Sequence, residues 1–196
     1  MSFELVGSFE KEIAEFFGSK HAVAVDCCTH AIELCLYLEQ TKKIFVPKRT
    51  YISVPLLSKK LNINLEWNEI EWKNFYYLTP EIIDAAVLWQ RNSYINNTYM
   101  CVSFQFKKHL SLGRGGAILL NNKKKYLELK KMSYDGRLPN IPWAKQNINT
   151  MGYHYYMTPE TASIGLKKLF VAKNTEPKNW SFLDYPDVSK MKVFRK

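Results

Sequence analysis

Residues 99–116, Tyr-Met-Cys-Val-Ser-Phe-Gln-Phe-Lys-Lys-His-Leu-Ser-Leu-Gly-Arg-Gly-Gly, decide how the chain is read. A β-prone run from Tyr99 to Phe104 delivers Ser103 and then Lys108 into a turn. Gly115-Gly116 frees the backbone before the next apolar run, Ala117 to Leu120. The pattern is strand, loop, strand. A lysine at a strand end serves as an amine nucleophile toward an aldehyde when burial or a cationic neighbour such as Lys107 lowers its pKa. With 28 Lys and Arg among 196 residues, the competing reading of Lys108 is a solvated surface charge, so its company has to decide.

Upstream, Phe9, Ile13, Phe16 and Phe17 recur at helical spacing, with Ser8 as the expected N-cap and Gly18 as the stop. His21 to Val25 reads as a short buried strand, and a second helical pattern runs from Ala31 to Leu38. Between them lie Cys27, Cys28, Thr29 and His30. A strand feeding a helix this tightly offers free N–H groups and a positive dipole end to a phosphate, although Thr29 reads equally as an ordinary N-cap. Ile44 to Val46, stopped by Pro47, and a helix from about Tyr51 to Leu61 continue the βα rhythm. After the alternating stretch Asn62 to Trp67, Ile82-Ile83-Asp84 puts an acid at the end of an apolar strand. Ligands of open α/β sheets bind outside the carboxyl ends of strands, so Asp84 either faces one crevice with Lys108 or is a local cap.

Downstream, residues 122–134 form a basic helical pattern broken at Asp135-Gly136. Thr158 as N-cap and Pro159 in the first turn open a last helix, with Ile164, Leu166 and Leu169 expected inside. The length suits one compact unit with a proper core. The 46% hydrophobic content, with five Trp, 12 Tyr and 11 Phe, excludes disorder. No apolar run approaches the roughly 18 residues of a membrane span, so no membrane partner is expected. The N-terminus lacks a basic flank and apolar core of the signal-peptide kind. Cys27, Cys28, Cys35 and Cys101 show no metal spacing, and reduced thiols in a cytoplasmic protein are expected. The formal charge of +10 comes from local lysine clusters without RNA-binding or zinc-finger motifs, which favours a small anion over nucleic acid as partner.

These residues, taken together, resemble the DegT/StrS-type nucleotide-sugar aminotransferases. Ser103-Phe104-x-x-x-Lys108 with Gly113-Arg114-Gly115-Gly116 is similar to that family's central block. Cys27-Cys28-Thr29-His30-Ala31 lies where its phosphate loop belongs, and Pro47-x-x-Thr50-Tyr51, Ile83-Asp84-Ala85-Ala86 and Gly152-Tyr153-His154-Tyr155 match further elements in order. The resemblance covers about residues 9–170. It implies an α/β fold, a three-layer α/β/α large domain like that of aspartate aminotransferase with a mostly parallel mixed central sheet, over residues 1–173. Residues 174–196 form a short tail in place of the family's small domain.

The resemblance further implies pyridoxal 5′-phosphate (PLP) as cofactor. Lys108 is then the amine that condenses with it, Asp84 the partner of its ring nitrogen and Tyr51 the stacking residue. Cys28, Thr29, the backbone around His30, and Ser103 hold the phosphate, with His154 reaching in from a partner subunit of a homodimer with shared sites. The implied reaction moves an amino group from an amino acid, expected to be glutamate, to a keto-sugar nucleotide. Departures stand beside the matches: Cys28 replaces a glycine, Val87 a Gln or His, and Arg114 a Glu, and the stretch before Ile82 lacks a strand–helix unit. Two alternatives stay open, another PLP reaction on a sugar nucleotide and a scaffold that binds PLP or a partner without turnover.

Overall fold

The computed structural model describes residues 2–195. In chain order it runs α1 (Glu4–Phe17), β1 (His21–Val25), α2 (Cys28–Leu38), β2 (Lys43–Pro47), α3 (Ser53–Leu61), β3 (Asn64–Asn68), β4 (Tyr76–Tyr77), β5 (Ile82–Asp84), β6 (Tyr99–Ser103), β7 (Gly116–Leu120), α4 (Lys123–Ser133) and α5 (Pro159–Lys173). A five-stranded sheet has the order β1-β7-β6-β5-β4. The separate parallel pair β2–β3 adjoins its β4 edge through the Phe45 N–H, which donates to the Leu78 carbonyl at 2.9 Å.

Strand alternation builds the three layers. Ala22, Ala24, Met100, Val102, Ala117 and Leu119 pack on one face, with α1 and α5. Val23, Val25, Tyr99, Cys101, Ile118 and Leu120 pack on the other, against α2 and Leu129 of α4. Side chains two apart share a face. Asp84 therefore follows Ile82, and Ser103 follows Cys101, onto the α2 side, and the parallel pairing of β5 with β6 sets their ends at one edge.

The α/β class and the mixed sheet agree with the sequence, but the expected predominance of parallel pairs does not. Within the five-stranded sheet only β5–β6 is parallel; β1–β7, β6–β7 and β4–β5 are antiparallel. A parallel connection needs a crossover of a dozen residues or more. The turn from Leu78 to Glu81 is too short for one and is tied by the Leu78 N–H to the Ile82 carbonyl, and the longer loop from Phe104 to Gly115 is closed as a hairpin by the Phe104 N–H to the Gly115 carbonyl and the Phe106 N–H to the Gly113 carbonyl.

Local signals fared unequally. Gly18 closes α1 with φ +82°, and the Thr158 hydroxyl caps α5 by accepting from the Thr161 N–H. Ser8, expected as an N-cap, lies inside α1, whose buried face extends back to Val6. Ile164 is exposed, and Gly165 takes the inner position beside Phe9.

A Cβ at Gly165 would stand 2.5 Å from the Phe9 ring, which is itself locked edge-on against Phe104 at 5.3 Å. Gly165→Ala is therefore expected to lower stability by about 1–2 kcal/mol, since overpacking outweighs the gain in helix propensity. Ile164→Ala, on the solvent side of the same turn, should stay within about 0.5 kcal/mol. Urea unfolding of the two variants checks the contrast.

Candidate active site

Lys108, Asp84, Thr29, Ser103, Tyr51 and Cys28 line one cavity of about 140 Å³ outside the ends of β5 and β6. Lys108 sits in a turn closed by its N–H to the Gln105 carbonyl at 2.8 Å, between the two arms of the β6–β7 hairpin. Burial pulls its amine below the ordinary lysine pKa, with Lys107 acting the same way and Asp84 and Cys28 opposing. The company of Lys108 thus separates it from a surface charge.

Asp84 is 5% exposed and would be costly to bury unpaired. Tyr76 donates its hydroxyl to Oδ2 at 2.5 Å, and the Ala86 N–H donates to Oδ1 at 2.9 Å. A buried Thr50 hydroxyl meets the Tyr76 hydroxyl at 2.5 Å. Burial raises the Asp84 carboxyl above the usual carboxylate range, against the pull of Tyr76, Ala86 and Lys108. Tyr76 was not singled out in the sequence. Its signal was the Thr79-Pro80 turn, because a hairpin folded there places Tyr76 directly opposite Asp84.

The start of α2 forms another wall of this cavity. Its first-turn N–H groups have no intrahelical acceptor by construction. Thr29 Oγ1 lies 2.7 Å from Ser53 Oγ, so two hydroxyls meet beside them. The helix start comes this close to the sheet because residue 116 is glycine: a Cβ there would lie 2.5 Å from the Cys28 nitrogen. Cys28 is buried, and its thiol donates to the Cys101 carbonyl at 3.4 Å. Burial pushes that thiol well above its ordinary pKa.

The side chain of His30 turns away from the cavity. It stacks on Tyr155 with ring centroids 3.6 Å apart and bonds through Nδ1 to Asp26 at 2.6 Å. Asp26 also accepts from Arg114 Nη2 at 2.7 Å. Asp26, Cys27 and His30 are metal-ligand types close together, but Arg114 already balances the carboxylate, and the trio is a charge network. His154 is likewise outside this chain's cavity, exposed and bonded to Asp135 at 3.1 Å. Gly136 and Gly152 pack backbone to backbone there and fix that motif beside the end of α4.

Fold and cavity together make an α/β domain with a ligand-sized site outside its strand ends. The model of the DegT/DnrJ/EryC1/StrS aminotransferase family matches residues 2–92 and 94–181, and the chain belongs to that family. It is 35% identical over 85 residues to 3-amino-5-hydroxybenzoate synthase of Amycolatopsis mediterranei (strain S699), covering 42% of this chain and 22% of that protein. AtS13 from Actinomadura melliaura has the same fold, with a TM-score of 0.75 at 17% identity, over 86% of this chain and 60% of that one. The sugar aminotransferase Spr1654 from Streptococcus pneumoniae, solved in a PLP form, gives 0.71 at 16% identity, over 85% and 59%. The chain thus spans about a fifth of the curated relative and about 60% of the solved structures.

Burial lowers the His30 pKa, but its hydrogen bonds to Asp26 and Cys27 win and raise it from 6.5 to about 9. A raised histidine contributes stability that is complete below pH 6.5 and is lost as the pH climbs through 9. Denaturation midpoints measured between those limits should fall in the wild type, and this part of the fall should vanish in His30→Gln and shrink in Asp26→Asn.

Proposed function

We propose that the protein is a PLP-dependent aminotransferase and that Lys108 is its cofactor-bearing and proton-transferring residue. The observation that carries this reading is that the half-buried Lys108 amine and the buried Asp84 carboxylate line the same cavity, with a helix N-terminus beside them. The donor set fits PLP: an amine for its aldehyde, an acid for its ring nitrogen, and N–H groups with the Thr29 and Ser103 hydroxyls for its phosphate. The cradle at Gly116 brings that phosphate seat to the sheet edge. When bound, PLP supplies an electrophilic aldehyde and a ring that accepts an electron pair from the substrate carbon.

The residues of the chain do the rest. Asp84, steadied by Tyr76 and Ala86, holds a proton on the ring nitrogen. The Lys108 amine, whose lowered pKa favours its neutral form, takes a proton from the substrate α-carbon and returns it on the other side of the reaction. Tyr51, half-exposed at the cavity wall, is the ring-stacking candidate. Cys28 adds bulk where other family members keep a glycine. His154 is proposed to complete the neighbouring site in a homodimer, where its exposed position leaves it accessible. The amino acceptor is proposed to be a keto-sugar nucleotide and the donor an amino acid such as glutamate, in line with the sugar aminotransferases of the same fold. The scaffold reading retains one observation in its favour, Val87 at the cavity wall where the family pattern has a Gln or His.

Mixing purified protein with PLP should produce a yellow absorbance, and borohydride should fix the mass of the cofactor onto the peptide containing Lys108. Lys108→Ala should lose both. Asp84→Asn should keep the adduct while slowing the colour change induced by glutamate on the order of 100-fold or more. An adduct with no response to any amino donor would leave the scaffold.

A further inference from the structure

The stretch beyond α5 does not trail away from the molecule. The Asn74 N–H donates to the Trp180 carbonyl at 2.9 Å, and Asn74 Oδ1 accepts the Trp180 N–H at 3.3 Å. The Phe182 N–H reaches the Trp72 carbonyl at 3.1 Å, Arg49 donates to the Tyr185 carbonyl at 3.0 Å, and the Val188 N–H donates to the Lys48 carbonyl at 2.8 Å. Val188 is 1% exposed. A segment held at successive backbone positions against residues 48–49 and 72–74 is a fixed wall. From it the Trp180 ring stands 5.1 Å from Lys108 Nζ, and Tyr185 lines the cavity and leans on Trp72 at 5.4 Å.

We infer that Trp180 and Tyr185 are positioning residues of the site: they cover the Lys108 amine, shut water from it and hold it in the cavity. The inference rests on the reading of Lys108 as the reactive amine. An aromatic face attracts an ammonium, whereas a dry cover disfavours it. Lys108 is faced by Asp84 from β5, Cys28 from α2, Lys107 in its own loop and Tyr185 from the covering segment, while Lys178 of that segment sits 4.0 Å from the Trp180 ring centre and is tied to Asp184 at 2.5 Å. Burial is the leading cause of its lowered pKa, and the Trp180 and Tyr185 side chains are part of what surrounds it. The covering segment thus sets how readily the amine sheds its proton.

The test uses the full chain without cofactor. Acetylation of Lys108 is followed by mass spectrometry across a pH series, with the exposed Lys59 and Lys124 as internal standards. In the wild type the Lys108 midpoint should lie below those of the standards. Trp180→Ala should move it up by about 0.5 pH or more, as expected when a buried amine is wetted. Trp180→Phe should restore most of the difference. Asn74 has φ +61°, so Asn74→Gly removes the side-chain clamp without straining the backbone, and it should shift the midpoint in the same direction. An unchanged midpoint in Trp180→Ala, or in Asn74→Gly should the first variant not fold, overturns the inference. Failure of the PLP reading would appear separately, as an absent borohydride adduct in the wild type.

Discussion

A carboxylate at the end of a short strand, dried by the elements around it, is the constraint on which this half of the molecule turns. Asp84 needs donors in place before it can be buried, because one lost partner leaves a charge without compensation. Ala86 supplies one from the turn that follows β5. Tyr76 supplies the other, which requires the β4–β5 hairpin to close in one register. The Tyr76 hydroxyl in turn engages Thr50, and this fixes the chain between β2 and α3. The residues leading into β4 are thereby fixed as well, and they form the edge on which the C-terminal stretch docks.

The position of the cavity follows from strand periodicity plus one glycine. Two apolar strands with alternating faces send Asp84 and Ser103 to the α2 side, and the absence of a side chain at Gly116 lets the start of α2 come against the sheet. The Lys108 amine in that corner has an acid on one side and a helix N-terminus on the other. Such a place suits a ligand with a cationic ring nitrogen and an anionic group at opposite ends. Two ties far from the cavity keep the layers in register. Glu10, buried, accepts the Ala24 N–H and pairs with Lys130 at 2.7 Å; Glu33 pairs with Lys60 at 2.8 Å.

Legibility in the sequence divides along the same lines. Lys108, Asp84, Ser103 and Thr29 could be read because each sits at the junction of an apolar run and a turn, where strand ends and helix starts announce themselves. The sense of the sheet could not be read from those runs, since an apolar strand has the same composition whichever way it pairs. Local backbone bonds decided it, at the 78–81 turn and across the neck of the 104–115 loop. Trp180 and Tyr185 carried no signal because they belong to an irregular stretch in a chain already rich in aromatic residues, and only long-range backbone bonds show their place. Ser8 was misread for a different reason: a good capping residue inside an amphipathic run is outvoted when the buried face continues past it. At Ile164 the smaller residue took the interior, because Phe9 left room for nothing larger than Gly165.

Two of the departures from the family pattern are accommodated by local contacts. Arg114, which stands where the family pattern has an acid between the glycines, donates to Asp26, and Asp26 holds His30 at the same time. A cysteine in place of the glycine of the phosphate loop would be a buried donor without a partner, yet the Cys101 carbonyl receives it. These two exchanges find partners distant in sequence, one a carboxylate and the other a main-chain carbonyl. Among the described residues no buried side-chain nitrogen or oxygen lacks a hydrogen-bond partner. The corner between α2, β5 and the β6–β7 hairpin therefore carries both exchanges without leaving the guanidinium or the thiol unpartnered.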